Sequence, residues 1–235
     1  MGPEALAAAT RAPREKPVPG GKLVAWAALV ATLIALAYAA NAASSGPPDE
    51  DILYRYSTAI AATVQYALML GIVLAISRGL SRETLGFRRP ASWSRALGLT
   101  LGGLAAIWAA GAFLNVFLKA GEEQGLVPDG WDSSRAGAFV ANFVVIAIVA
   151  PIVEETTYRG LGFAAVRASF GPLAAILVTG IAFGLSHGLL VALPVLSLFG
   201  VILAALRWRT DSLYPPIILH ALFNAAALIA AVTLG

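Results

Sequence analysis

The chain has 235 residues, of which 59% are hydrophobic and 12% charged, with a mean hydropathy of +0.80. Soluble domains carry about 25% charged residues, so a soluble globular fold is excluded. The net charge of +3 is spread between apolar runs and offers no basic face for nucleic acid, and the count of zero cysteines excludes disulfides, thiolate zinc ligands and cysteine nucleophiles.

Residues 1–21 are rich in Ala, Pro and Arg without a pattern, and are expected to form a disordered cytoplasmic tail. The first apolar run, Leu23–Ala43, ends in "AYAANAASS", which resembles a signal-peptide cleavage site. It is longer than the roughly 7–15-residue core of a signal peptide, so it reads as a retained first helix. Further spans read as Ser57–Ile76, Ala96–Leu118, Ala136 to about Val166, Pro172–His187, Leu189–Leu206 and Tyr214–Leu234. Most are near the ~20 residues that a ~30 Å hydrocarbon core requires. The loops alternate in sign: "SSGPPDED" is acidic, "SRGLSRETLGFRRPASWSR" basic, and "KAGEEQGLVPDGWDSSR" acidic again. Basic loops mark the cytoplasmic side.

The expected fold is therefore all-α, a polytopic transmembrane bundle of about seven spans in the cell membrane with the N-terminus cytoplasmic. The bilayer is its partner, and nucleic acid is not. Residues 22–135 read as three accessory helices and residues 136–235 as a four-helix core. Gly98, Gly102 and Gly103, and Gly180 with Gly184, have the small-residue spacing of close helix packing.

Inside the fourth run lies "PIVEETTYRG". An ionisable side chain at mid-bilayer costs about 2.5–3.5 kcal/mol on insertion scales, so Glu154, Glu155 and Arg159 must face the bundle interior or water. Glu155 and Arg159 stand i, i+4 on one stripe and can pair. Glu154 lies about 100° away, stacked with Tyr158 and without a local cation. The alternative, a charged helix end meeting water, loses weight because the chain's two histidines, His187 in "AFGLSH" and His220 in "HALFN", also fall in or at the end of spans. Asn224 follows His220 on the same face.

A carboxylate and an imidazole flanking a water can activate it as a nucleophile. An imidazole and a carboxamide one turn apart can converge on a developing oxyanion. This inventory fits hydrolysis of a carbonyl compound. Metal chemistry stays open beside it: Glu154, His187 and His220 are nitrogen and oxygen donors of the kind zinc takes with one position free, although no H-E-x-x-H is present.

"EETTYRG", "FGLSH" and "HALFN" match the E-E-x-x-x-R, F-x-x-x-H and H-x-x-x-N motifs of the CAAX-protease and bacteriocin-processing family, intramembrane proteases related to the eukaryotic Ras-converting endopeptidase. The resemblance runs from about Ala136 to the C-terminus. It implies an intramembrane endopeptidase acting on a peptide or membrane-protein substrate. By that resemblance Glu154 with His187 would activate water, His220 and Asn224 would stabilise the oxyanion, and Glu155 with Arg159 would hold the helix in register. The family has been described both as metal-dependent and as a metal-free glutamate class; zinc on Glu154, His187 and His220 belongs to the first description. Thr156 and Thr157 are more polar than the pattern leads one to expect, Tyr158 replaces the usual Phe, and Asp211 stands where Gly is common. The alternatives are a non-catalytic scaffold or bacteriocin-immunity protein on the same fold, and a proton-relaying transporter; intact motifs disfavour the former, and the lack of an inverted repeat in the hydropathy the latter.

Overall fold

In the computed structural model, residues 18–44, 49, 51–118, 123 and 130–233 are described. The expected N-terminal tail falls almost wholly outside them. Among the described residues there is helix and no strand. The helices are α1 (Gly20–Ala43), α2 (Tyr56–Ile76), α3 (Trp93–Leu118), α4 (Ala136–Val144), α5 (Ala150–Glu155), α6 (Phe163–Leu185), α7 (Leu193–Thr210) and α8 (Tyr214–Thr233). Two π-helical segments, Val145–Val149 and Thr156–Gly162, join α4 to α5 and α5 to α6.

Six stretches are long and apolar enough to cross a membrane. One of these, Ser133–Leu185, is 53 residues long and bends where Gly171 takes φ +84 and Pro172 follows. Positive φ suits glycine because it has no Cβ to clash, and Pro172 has no N–H to continue the ladder. The two arms correspond to the separate fourth and fifth spans read from the sequence, and the chain is a multi-pass membrane protein. Large apolar side chains such as Ile60, Leu68, Leu101 and Phe113 point outward, as expected of a surface whose solvent is lipid.

Charge sorts the two ends. Lys22 donates to Ile76 O and Arg78 O at 2.5 and 2.9 Å, while Arg88 and Arg207 hold Asp211 at the same end. At the other end Arg135 reaches Asp51 at 2.6 Å and Arg55 reaches Asp49 at 2.5 Å. The basic end is the one the positive-inside rule assigns to the cytoplasm.

Helix α7 begins at Leu193 and ends at Thr210, four residues later at each end than the sequence indicates. Its start is set by Pro194 in the first turn, where a missing N–H costs nothing. Its end is set by Asp211, which adopts the left-handed conformation with φ +50. That conformation explains why a glycine suits this position; here the Asp carboxylate compensates by binding Arg88 and Arg207.

Helices α6 and α7 form the tightest pair in the bundle. A Cβ on Gly180 would lie 2.6 Å from the backbone N of Val201, and one on Gly184 would lie 2.8 Å from the backbone N of Ser197. The small-residue reading thus holds for these two, and for Gly103, which abuts Leu219. It does not hold for Gly98 and Gly102, where an added Cβ would meet nothing within 4 Å.

Candidate active site

Helix α5 sits at the centre, carried between its two π segments. Pro151 is the cause on one side. In the first π segment the N–H of Ala150 bonds to Val145 O; the next bond in that register would join residue 151 to Ile146 O, and Pro151 has no N–H to give. Asn224 of α8 supplies the missing donor, its Nδ2 lying 2.9 Å from Ile146 O. In the second π segment Thr157 O is reached by Trp26 Nε1 of α1 at 3.1 Å. Gly162 leaves room for that indole: a Cβ there would lie 2.5 Å from Trp26 Cε2. Wide π turns expose carbonyls to outside donors and often mark functional sites. The unexpected polarity of Thr156 and Thr157 is absorbed locally, since their hydroxyls donate to Ile152 O and Val153 O at 2.6 and 2.8 Å.

Glu155 and Arg159 pair as their spacing indicates, with Arg159 Nη1 2.9 Å from Glu155 Oε1 and both side chains fully buried. Arg159 also donates to Gly200 O at 2.7 Å and lies 4.6 Å over the Phe183 ring. His220 extends this pair, its Nδ1 lying 3.0 Å from the same Glu155 oxygen. A carboxylate bonded to an arginine only accepts, so Nδ1 carries the hydrogen and Nε2 is turned toward Glu154, 3.8 Å from its Oε2.

Glu154 is 14% exposed and lines a cavity of about 520 Å³ together with His187, His220 and Asn224. Its other oxygen, Oε1, accepts from the Tyr66 hydroxyl of α2 at 2.7 Å. His187 sits in the turn after α6, its Nδ1 2.8 Å from Phe183 O. A carbonyl cannot donate, so the hydrogen is on Nδ1 and the lone pair on Nε2. Tyr158, in place of the usual Phe, donates to Ser186 at 2.6 Å, and Ser186 shares Phe183 O at 2.9 Å. No direct hydrogen bond joins Glu154 to His187; the cavity that both line lies between them.

All four residues singled out for chemistry therefore reach one cavity, and the structure adds Tyr66. The only sequence signal that sets Tyr66 apart from a packing aromatic is that it follows Gln65.

Zinc would need three protein donors within reach of one ion. Among the described residues no three His, Asp or Glu side chains converge in that way. As arranged, the donors do not fit a three-ligand zinc centre, and no step below is routed through a metal.

The chain is an apolar helical bundle that spans a membrane, and a carboxylate, two imidazoles and a carboxamide line its central cavity. Residues 136–226 match the family model described as Type II CAAX prenyl endopeptidase Rce1-like. That segment, about two fifths of the chain, is similar to this family of membrane proteases. The chain is also 28% identical over 218 residues to a Bacillus subtilis (strain 168) protein named "Putative membrane peptidase YdiL", covering 88% of this chain and 84% of that one. No solved structure matches it.

Proposed function

We propose that the protein is an intramembrane endopeptidase in which Glu154 is the general base. The observation that carries this reading is the position of the Glu154 carboxylate. It stands at the wall of a cavity, oriented by Tyr66 on one oxygen and faced by His220 on the other, and His187 lines the same cavity.

A water between Glu154 and His187 Nε2 loses its proton to Glu154 as its oxygen attacks the scissile carbonyl carbon. The carbonyl π pair moves onto oxygen. Asn224 spends one amide hydrogen on Ile146 O and keeps the second for that oxyanion. His220, its Nδ1 held by Glu155, faces the same oxyanion through Nε2 and donates to it when that nitrogen carries a proton. Collapse breaks the C–N bond, and Glu154 returns its proton to the leaving amine. General-base catalysis contributes about 10²–10⁴-fold, and loss of one oxyanion donor costs about 10²–10³-fold. The substrate reaches this site as a peptide or as part of a membrane protein.

The reading is tested with purified protein in lipid vesicles, a library of apolar peptides, and water enriched in ¹⁸O. The expected result is cleaved peptides carrying one ¹⁸O in the new C-terminal carboxylate, abolished by Glu154→Gln and His187→Ala in folded protein and unaffected by 1,10-phenanthroline. Equal cleavage by wild type and Glu154→Gln would reject the assignment of the base. Loss of cleavage with phenanthroline, restored by zinc, would replace it with a metal mechanism on Glu154, His187 and His220. No cleavage by any form would favour a scaffold.

A further inference from the structure

The cavity at Glu154 and the lipid-facing surface are linked by neighbouring cavities that share lining residues. A groove between α1 and α2 is lined by Leu29, Leu33, Val64, Gln65, Leu68 and Met69. A second cavity of about 450 Å³ shares Leu33, Gln65 and Met69 with that groove, and Tyr66, Glu154 and His187 with the central cavity. These shared linings set the three cavities in a row from the bilayer to the carboxylate.

Along this row one residue is out of place. Gln65 is exposed, lies mid-span between Tyr56 and Ile76, and makes no side-chain hydrogen bond among the described residues. Its neighbours in the groove are apolar. A polar side chain inside a membrane span is a functional-site hypothesis by default, and an unpaired amide in an apolar medium is costly. A lipid acyl chain offers it nothing. A helical peptide offers little, because its main-chain groups are already bonded to one another.

An extended peptide is different, since in lipid each of its N–H and C=O groups lacks a partner. A carboxamide presents one acceptor and a pair of donor hydrogens, so it can pair with an N–H and a C=O of one strand together. Gln65 also adjoins Tyr66, whose hydroxyl is 2.7 Å from Glu154, so a chain anchored there is delivered beside the base.

We propose that the α1–α2 groove is the subsite for the apolar segment of the peptide substrate, held in extended form, with Gln65 as its main-chain anchor. This rests on the peptidase reading for its purpose, but it is tested by binding alone. The uncleaving Glu154→Gln protein is placed in phosphatidylcholine–phosphatidylglycerol vesicles with p-benzoylphenylalanine at position 64. The probe is a biotinylated peptide with a Leu/Val core and Lys ends. Light is expected to join probe to protein at position 64 and not at position 101, on the lipid face of α3. Gln65→Leu should cut capture by about tenfold, the effect of losing a pair of hydrogen bonds. Ile72→Trp, which fills the groove about two turns from Gln65, should do the same. Equal capture at positions 64 and 101, or undiminished capture by both variants, overturns the proposal. So does displacement of the probe by phosphatidylcholine alone. Capture as described, with no cleavage by the wild-type protein, would count against the peptidase reading and leave the subsite standing.

Discussion

Two of the N-terminal helices stand in different relations to the site. Helix α2 places Tyr66 on a Glu154 oxygen and lines the adjoining cavity with Gln65, whereas α3 packs on α7 and α8 and, among the described residues, contributes none to either cavity around Glu154. Both are apolar helices of similar length, and both lie outside the segment 136–226 that matches the family model. The difference is that α2 carries a polar group that bonds to Glu154. A helix becomes part of a membrane site through one or two side chains that complete hydrogen bonds the core cannot make for itself.

The core's internal pair gives the largest expected effect. Arg159→Met leaves Glu155 charged and buried without its partner, a loss of about 3–5 kcal/mol, to be read as a large drop in thermal stability in detergent. Glu155→Gln with Arg159→Met should recover part of it, since neither charge is then stranded. Asn224→Ala uncovers Ile146 O and removes the proposed oxyanion donor, so kcat should fall by about 10²–10³-fold with a small loss of stability. Tyr66→Phe tests α2 directly. A hydrogen bond to a charged group is worth about 1.5–3 kcal/mol, so kcat should fall by about 10–100-fold with KM nearly unchanged. Trp108→Ala on the outward face of α3 should change neither; an equal effect at both positions would erase the distinction between these helices.

The smallest effect lies at the acidic end. Asp132 accepts from Ser134 N and Oγ at 2.8 and 2.6 Å and from Arg135 Nε at 2.5 Å. Bonds from Ser134 first and Arg135 second hold its carboxyl down at about 2, below the usual 3.8. A lowered carboxylate contributes its stability above the unfolded value and loses it as pH falls through the folded one. The difference in melting temperature between wild type and Asp132→Asn should therefore be full at pH 6 and shrink toward pH 2. A difference independent of pH would contradict this.

What was legible in the sequence followed regular geometry. The i, i+4 spacing exposed the Glu155–Arg159 pair, and Pro172 marked the bend after Gly171. The grouping of Glu154, His187, His220 and Asn224 came from the scarcity of polar residues in apolar runs. What was not legible depended on irregular backbone and on partners far apart in the chain. Pro151 announces a break in helical bonding, but that Asn224, 73 positions later, donates to the exposed carbonyl of Ile146 depends on how α8 packs. His220 joining Glu155 is invisible for the same reason. Asp211 stands out in the sequence only as a departure from the common Gly; the arginines that gather on its carboxylate come from distant segments as well as its own helix.

The central claim is that Glu154 takes the proton from the attacking water. Single-turnover cleavage of one apolar peptide by wild type and Glu154→Gln, with melting temperatures measured on the same samples, tests it most directly. A rate lower by about 10²–10⁴-fold at an unchanged melting temperature is the expected result. A Glu154→Gln rate within about threefold of wild type, well short of the general-base range, would contradict it.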